Sequence, residues 1–124
     1  MKDFRDLKVW HKAHELTLAV YKATGGFPRE ELYGLTSQIR RCSVSIADNI
    51  AEGCGKRGGA EFNRYLLMAS GSASELDYHL LLARDLKYLN SAEYESLTNL
   101  LGQLRRMLTA LVRKIDMERL EAKC

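Results

Sequence analysis

Apolar residues recur along this chain at steps of three and four, the spacing that places side chains on one face of an α-helix. The first stripe predicts a helix over residues 6–24, ended by Gly25 and Gly26, because glycine readily adopts the left-handed conformation of a helix C-cap. Its members are Leu7, Trp10, Ala13, Thr17, Val20 and Thr24, widened by Val9, Leu16 and Leu18. After Pro28, which suits a first helical turn, a second stripe predicts a helix over residues 29–52. Its members are Leu32, Leu35, Ile39, Cys42, Ile46 and Asn49.

Two further stripes follow the glycine-rich segment 53–59, which is predicted to be a flexible loop. The helix predicted over residues 60–89 uses Phe62, Leu66, Ala69, Ala73, Leu76, Leu80, Ala83 and Leu86. The helix predicted over 91–119 uses Tyr94, Leu97, Leu101, Leu104, Leu108, Leu111 and Ile115, and Asn90 with Glu93 resembles a capping box at its start. No segment alternates with period two, so no strand is expected. The pattern predicts an all-α, antiparallel up-and-down four-helix bundle formed by one domain, residues 1–124.

Helices three and four carry more apolar residues than the core of a single bundle needs. The surplus residues are Leu67, Met68, Leu81, Leu82, Leu100, Met107, Ala110 and Val112. Because large exposed apolar patches usually mark interfaces, this surplus favours self-association into a ring. The alternative is a wide core stripe with scattered apolar residues at the surface, which is normal for a monomer.

Composition agrees with a folded domain but does not identify a function. Apolar residues make up 46% of the chain, charged residues 28%, and the net charge is +3. The charged N-terminus lacks the apolar run of a signal peptide, and no stretch reaches the roughly 18 apolar residues that a membrane span needs. Cys42, Cys54 and Cys124 lie far apart without a Cys-x-x-Cys pair, which argues against a disulfide framework or a zinc site. We therefore expect a cytoplasmic protein with reduced thiols and no membrane partner.

The candidate catalytic and metal-binding patterns are incomplete. The chain contains no Glu-x-x-His motif of the kind that di-iron bundles use. His11 and His14, like Glu75 and His79, lie one helical turn apart but lack recognisable further ligands. Residues 53–56 lack the glycine and hydroxyl spacing of a phosphate-binding P-loop, and no serine has an evident general base. The sequence predicts neither an enzyme nor a bound cofactor.

The basic residues are more informative, because they include four dibasic pairs. These pairs are Arg40–Arg41, Lys56–Arg57, Arg105–Arg106 and Arg113–Lys114. In an antiparallel bundle the end of helix two, the start of helix three and the end of helix four lie together. The basic rim expected at that end consists of Lys2, Arg5, Lys56, Arg57, Arg113 and Lys114. The alternative is that these are solubilising charges interleaved with acids such as Asp48, Asp85 and Asp116.

Four blocks of the chain resemble a known family. They are DLKVW at 6–10, ELYGLTSQIRR at 31–41, SIADNIAEG at 45–53 and EFNRYLLMASGSASELDYHLLLARDL at 61–86. They resemble the bacterial four-helix-bundle family named after proteins encoded in intervening sequences of large-subunit ribosomal RNA genes. The accessory protein of diversity-generating retroelements, a basic ring that binds a reverse transcriptase and nucleic acid, is a related member. The resemblance implies an antiparallel four-helix bundle assembled as a non-enzymatic homopentamer, in a family most of whose members lack an assigned function. The related member, together with the dibasic pairs, points to RNA, DNA or a nucleic-acid enzyme such as a reverse transcriptase as the partner.

Within these blocks the residues that carry the resemblance also have structural interpretations. They are Asn49, Glu52, Gly53, Glu61, Gly71 and Glu75. We expect Asn49 to fix helix register from the apolar seam and Gly71 to permit close helix approach. Glu52 is expected to pair with Lys56 one turn on or with a basic residue across the interface. Glu61 near a helix start suits the helix dipole. The chain departs from the family at Ala47, where proline is frequent, and at Cys54, where an aromatic residue is frequent.

Together these observations lead to two functional hypotheses. The first is a non-catalytic, homopentameric binding module that engages nucleic acid, or a nucleic-acid-handling protein, through the basic rim. The second is a purely structural or protein-interaction ring that does not bind nucleic acid.

Overall fold

A computed structural model describes residues 3–123, so Lys2 of the expected basic rim and Cys124 lie outside the described residues. The elements are a 3-10 helix at Phe4–Asp6, α1 at Lys8–Thr24, a 3-10 helix at Arg29–Glu31, α2 at Leu35–Cys54, α3 at Gly58–Asp85 and α4 at Ser91–Lys123. Consecutive helices pack side by side and α4 also packs on α1, whereas among the described residues no Cα atoms of the diagonal pairs lie within 8 Å of each other. Within residues 3–123 there is no strand. The predicted all-α four-helix bundle is confirmed.

The core consists of the predicted seams, with few exceptions. Its largest side chains with almost no exposed surface are Leu16, Ile39, Ile46, Ile50, Leu66, Leu76, Leu80, Leu104 and Leu108. The predicted capping box at the start of α4 is also confirmed: the Glu93 backbone N–H donates to Asn90 Oδ1 at 2.8 Å, and the Asn90 N–H donates to Glu93 Oε1 at 3.0 Å. Leu32 and Leu86, in contrast, were predicted to lie on seams and are exposed.

The second helix begins later than its apolar stripe predicts. Arg29–Glu31 forms only a 3-10 turn, and α2 starts at Leu35. Gly34, at the N-cap, has no side chain to accept a hydrogen bond from the first helical N–H groups. Glu31 takes over this role, because its Oε1 accepts from the Leu35 backbone N–H at 3.1 Å. The turn that places Glu31 there moves Leu32 out of the seam and into solvent.

The third helix ends earlier than predicted, at Asp85 rather than at residue 89. Lys87 has a φ of 65°. The Lys87 N–H donates to the Arg84 carbonyl and the Tyr88 N–H to the Ala83 carbonyl, both at 2.9 Å. This pair of bonds is a Schellman motif, in which a left-handed residue satisfies the last carbonyls of the helix. A lysine fills the position that glycine usually takes, whereas Gly25 after α1, where we predicted a left-handed cap, has a right-handed φ of −60°.

The connection between α2 and α3 is a tight turn rather than the predicted loop of residues 53–59. Only residues 55–57 separate the two helices. A Cβ atom on Gly53 would lie 2.6 Å from Tyr65 Cβ, so this glycine allows α2 and α3 to approach closely. Gly71, in contrast, faces outward, and a Cβ there would meet no atom of the same chain within 4 Å, so it does not serve close approach of helices within the bundle.

Candidate anion-binding recess

An open recess of about 690 Å³ lies at one end of the bundle, where the α2–α3 turn meets the last turns of α4. Its lining, called the terminal recess below, comprises Cys54, Gly55, Lys56, Arg57, Gly58, Gly59, Phe62, Ile115, Glu118, Arg119 and Ala122. Phe62 and Ile115 are buried and form an apolar floor. Lys56, Arg57, Glu118 and Arg119 are exposed around it.

The recess exists because α4 continues past the core and α3 begins with glycines. Helix α4 extends to Lys123, about two turns beyond Ile115, its last buried residue. A Cβ atom on Gly59 would lie 2.8 Å from Ile115 Cγ2 and 3.1 Å from Arg119 Cδ, so α4 packs directly on the α3 backbone. The preceding turn of α4 is tied to α3 as well, since Asn63 Nδ2 donates to Asp116 Oδ1 at 2.7 Å. These contacts bring Arg119 beside the α2–α3 turn.

The charges around the recess are mostly positive. Three of its lining residues are cations, Lys56, Arg57 and Arg119, and Glu118 is the only carboxylate among the lining residues. Arg119 also pairs with Asp116, with a long Nη1–Oδ1 distance of 3.8 Å. Arg57 is the N-cap of α3 and its side chain makes no capping hydrogen bond, so the partial positive charge of the helix start adds to the cationic side chains. This end of the bundle can therefore attract an anion.

Aromatic and acidic neighbours border the recess on the α3 side. Lys56 Nζ lies 5.6 Å from the centroid of the Tyr65 ring, and the Arg64 guanidinium lies 4.7 Å from it. The hydrogen bond from Arg64 lowers the pKa of the Glu61 carboxyl more than burial raises it, and the charges of Arg64 and Lys56 lower it further. Glu61 therefore carries its charge in the first turn of α3, where the helix dipole favours it.

The structure brings together only part of the predicted rim. Lys56 and Arg57 lie in the terminal recess, whereas Arg113 and Lys114 are exposed on α4 outside its lining. Arg5 lies in the N-terminal 3-10 helix, where it pairs with Asp3 at 3.2 Å. The sequence analysis did not include Arg119 in the rim, because the fourth helix was predicted to end at residue 119. The sequence signal for it was the charged helical segment that continues to Lys123.

Two family-motif residues, Asn49 and Glu52, have contacts within the chain that differ from those predicted. Asn49 is half-buried, and its Nδ2 donates to the Ser45 carbonyl of its own helix at 2.8 Å. The link between α2 and α3 at this level is instead the hydrogen bond of 2.9 Å between the Ser45 and Ser72 hydroxyls. Among the described residues no ion pair joins Glu52 to Lys56; the pairing seen nearby is Glu61 with Arg64 at 3.1 Å.

A second polar cluster joins Cys42 and His79, whose Sγ and Nδ1 atoms are 3.7 Å apart. Burial and the neighbouring Glu75 carboxylate raise the pKa of the Cys42 thiol to about 12, so the thiol stays protonated near pH 7. His11 and His14 contact the ring of Trp10, with centroid distances of 5.3 and 5.1 Å. In the part of the chain from residue 3 to residue 123, no three His, Cys, Asp or Glu side chains are grouped to hold a metal ion.

The fold and its charged end define a four-helix-bundle protein with a terminal recess that three cationic side chains line. The chain belongs to the family described as 23S rRNA-intervening sequence protein, whose model matches residues 5–110. The resemblance found in the sequence is thus confirmed. The matched region ends before the α4 residues that line the terminal recess.

A solved structure agrees with this assignment. It is a protein of unknown function from the S23 ribosomal protein family of Bacteroides thetaiotaomicron, with 26% sequence identity and a TM-score of 0.75. The match covers 84% of this chain and 97% of the other. Among curated proteins none matches the chain. None of the helices described between residues 3 and 123 has the length and apolar character that crossing a membrane requires.

Proposed function

We propose that this protein is a non-catalytic, cytoplasmic, homopentameric module that binds nucleic acid through the basic end of its bundle. The observation that carries the proposal is the terminal recess, where Lys56, Arg57 and Arg119 surround one concavity. Each cation that meets a phosphate releases condensed counterions, which favours binding without any reading of the bases. A ring would repeat this cluster around one rim and strengthen a field that the net charge of +3 understates.

Exposed apolar side chains support the assembly part of the proposal. Of the surplus apolar residues on α3 and α4, Leu67 and Met68 are the large ones that are mainly exposed, at 61% and 47%. Leu82, Leu100, Met107 and Val112 pack partly against the core, so the surplus available for an interface is smaller than the sequence suggested. Burying Leu67 and Met68 between subunits removes apolar surface from water, which stabilises association.

Light scattering of the purified protein at micromolar concentration is expected to give about 70 kDa, five times the chain mass of 14.1 kDa. Changing Leu67 and Met68 to Asp is expected to dissociate the assembly, because charges would replace buried apolar groups. Tyr33→Asp is the control, since Tyr33 is 93% exposed and lies in the turn that precedes α2. A parent protein that elutes near 14 kDa would contradict the pentamer.

The double variant Lys56→Ala/Arg57→Ala is expected to weaken binding to all nucleic-acid sequences alike. Because each site would then neutralise two fewer phosphates, the slope of log K against log salt should flatten by about 1.4 for a single strand. The measurement is fluorescence anisotropy of a labelled oligonucleotide across a salt series, with the oligomer mass checked in parallel.

Lys22→Ala/Arg29→Ala is the matched control, because it removes the same charge from exposed positions at the opposite end of the bundle. Equal losses of affinity in both double variants would show that net charge alone drives binding. If the parent protein binds no nucleic acid at low salt, the purely structural or protein-interaction ring becomes the better description.

A further inference from the structure

We infer that the terminal recess accepts one nucleotide unit, with its phosphate on the cationic rim and its base on the apolar floor. The site therefore selects a single strand, or a free nucleotide, over a duplex. This inference rests on the proposed function and specifies the ligand that the same site takes. It differs from simple attraction of a polyanion, which would favour the denser charge of a duplex.

The size of the recess fits a small ligand rather than a flat backbone contact. Its volume of about 690 Å³ lies within the range of roughly 300–1,000 Å³ that small-molecule sites occupy. Two separate segments form opposite walls: the α2–α3 turn with Lys56 and Arg57, and the last turns of α4 with Glu118 and Ala122. A group that enters the open recess thus contacts two segments of the protein, whereas a lone basic patch would contact only one side of a ligand.

The lining has the mixed chemistry that a nucleotide requires. Phe62 and Ile115, which are 6% and 7% exposed, and the exposed Ala122 supply the apolar part of the lining, and apolar surface favours the face of a base over water. Lys56, Arg57 and Arg119 are the donors for phosphate oxygens. Glu118 is an acceptor at the same rim, available to an amino group of a base or to a ribose hydroxyl. A phosphate ion alone would leave the floor and Glu118 unused.

The walls also disfavour a duplex. In a double helix the phosphates are outermost and the bases are stacked inside, so only phosphates would reach the rim. In a duplex, a base can reach the floor only after it unstacks and loses its base pair, which costs free energy. A base in a single strand has no base pair to break, so its cost is lower. A single strand can place one base on the floor while its backbone follows the cations.

The key test is a substitution that fills the recess without changing its charge. Ala122→Trp places an indole against the α4 wall, and Ala92→Trp is the matched control, because Ala92 is exposed at the other end of the same helix. Binding is measured by anisotropy with a labelled single strand of about 12 nucleotides, near the site sizes of single-strand binding folds, and with the corresponding duplex. Adenosine monophosphate and inorganic phosphate serve as unlabelled competitors of the single strand.

The parent protein is expected to bind the single strand at least tenfold more tightly than the duplex, and adenosine monophosphate should compete at lower concentration than phosphate. Ala122→Trp should lose this preference, mainly through weaker single-strand binding, while Ala92→Trp keeps it. Equal binding of strand and duplex, or an unchanged preference in Ala122→Trp, would overturn the inference and leave the proposed function intact. Failure of the parent to bind either ligand at low salt would instead overturn the proposed function.

Discussion

Replacing Leu66 with alanine is expected to lower the free energy of unfolding by about 2–5 kcal/mol. Leu66 lies in the half of α3 nearer the terminal recess, has no exposed surface, and belongs to the core formed by all four helices. The substitution shortens a buried side chain and leaves a cavity that the rigid helices fill only partly. Urea denaturation followed by circular dichroism, at one fixed protein concentration, measures the loss of stability.

Leu86→Ala is the matched control, because Leu86 belongs to the same predicted seam of the third helix. The early end of α3 leaves this side chain 45% exposed, so the same substitution should cost less than about 1 kcal/mol. If both variants lose equal stability, Leu86 is buried in solution and the helix end described above is wrong. If Leu66→Ala is neutral, the position of Leu66 in the core is wrong.

Gly53→Ala is expected to destabilise the protein by about 1–3 kcal/mol, although alanine is the better helix former. The added Cβ would lie 2.6 Å from Tyr65 Cβ, 3.1 Å from Phe62 Cδ1 and 3.3 Å from the Phe62 carbonyl oxygen. Two of these atoms are close to or part of the α3 backbone, so a rotamer change cannot relieve the contact. The helices have to move apart, and the movement should disturb the α2–α3 turn that carries Lys56 and Arg57.

Gly71→Ala is the comparison variant, because the same substitution is expected there to raise the stability rather than lower it. Gly71 lies inside α3 and no atom of its own chain lies within 4 Å of an added Cβ, so the substitution should stabilise the folded chain by roughly 0.5–1 kcal/mol through helix propensity. Thermal unfolding of the two variants at equal concentration compares them directly. A stabilised Gly53→Ala variant would refute the close approach of α2 and α3 at this position.

Much of the architecture could be predicted from local patterns. The four apolar stripes predict the number and approximate positions of the helices because each stripe is a property of residues three and four apart, which one helix brings together. The start of α4 was predicted for a similar reason, since Asn90 and Glu93 satisfy each other's backbone groups without help from elsewhere. Family membership was also recognisable, because it rests on contiguous blocks of sequence.

The errors occur where a residue's role depends on a distant partner or on an unusual backbone. Glu31 caps α2 while its other carboxylate oxygen accepts a hydrogen bond of 3.0 Å from the Tyr88 hydroxyl. No local sequence pattern predicts the hydrogen bond between Glu31 and Tyr88, because the two residues are far apart in the chain. Lys87 adopts a left-handed conformation that a sequence rule assigns to glycine, so the end of α3 was placed at residue 89 instead of Asp85. Gly53 and Gly71 are both glycines within helices, so the sequence does not show that only Gly53 lies where α2 and α3 pack closely.

The residues of the candidate site also fall into those that the sequence predicted and those that only the tertiary structure brings together. The sequence by itself determined that Lys56 and Arg57 lie in a short glycine-rich connection at one end of a bundle, because helix direction follows from helix order. Only the tertiary structure decided that Arg119 joins them while Arg113 and Lys114 stay outside the recess. Gly59 lets α4 lie against the start of α3. Which α4 side chains reach the recess then depends on the rotation and the axial shift of α4 relative to α3, and the sequence pattern of one helix does not specify these.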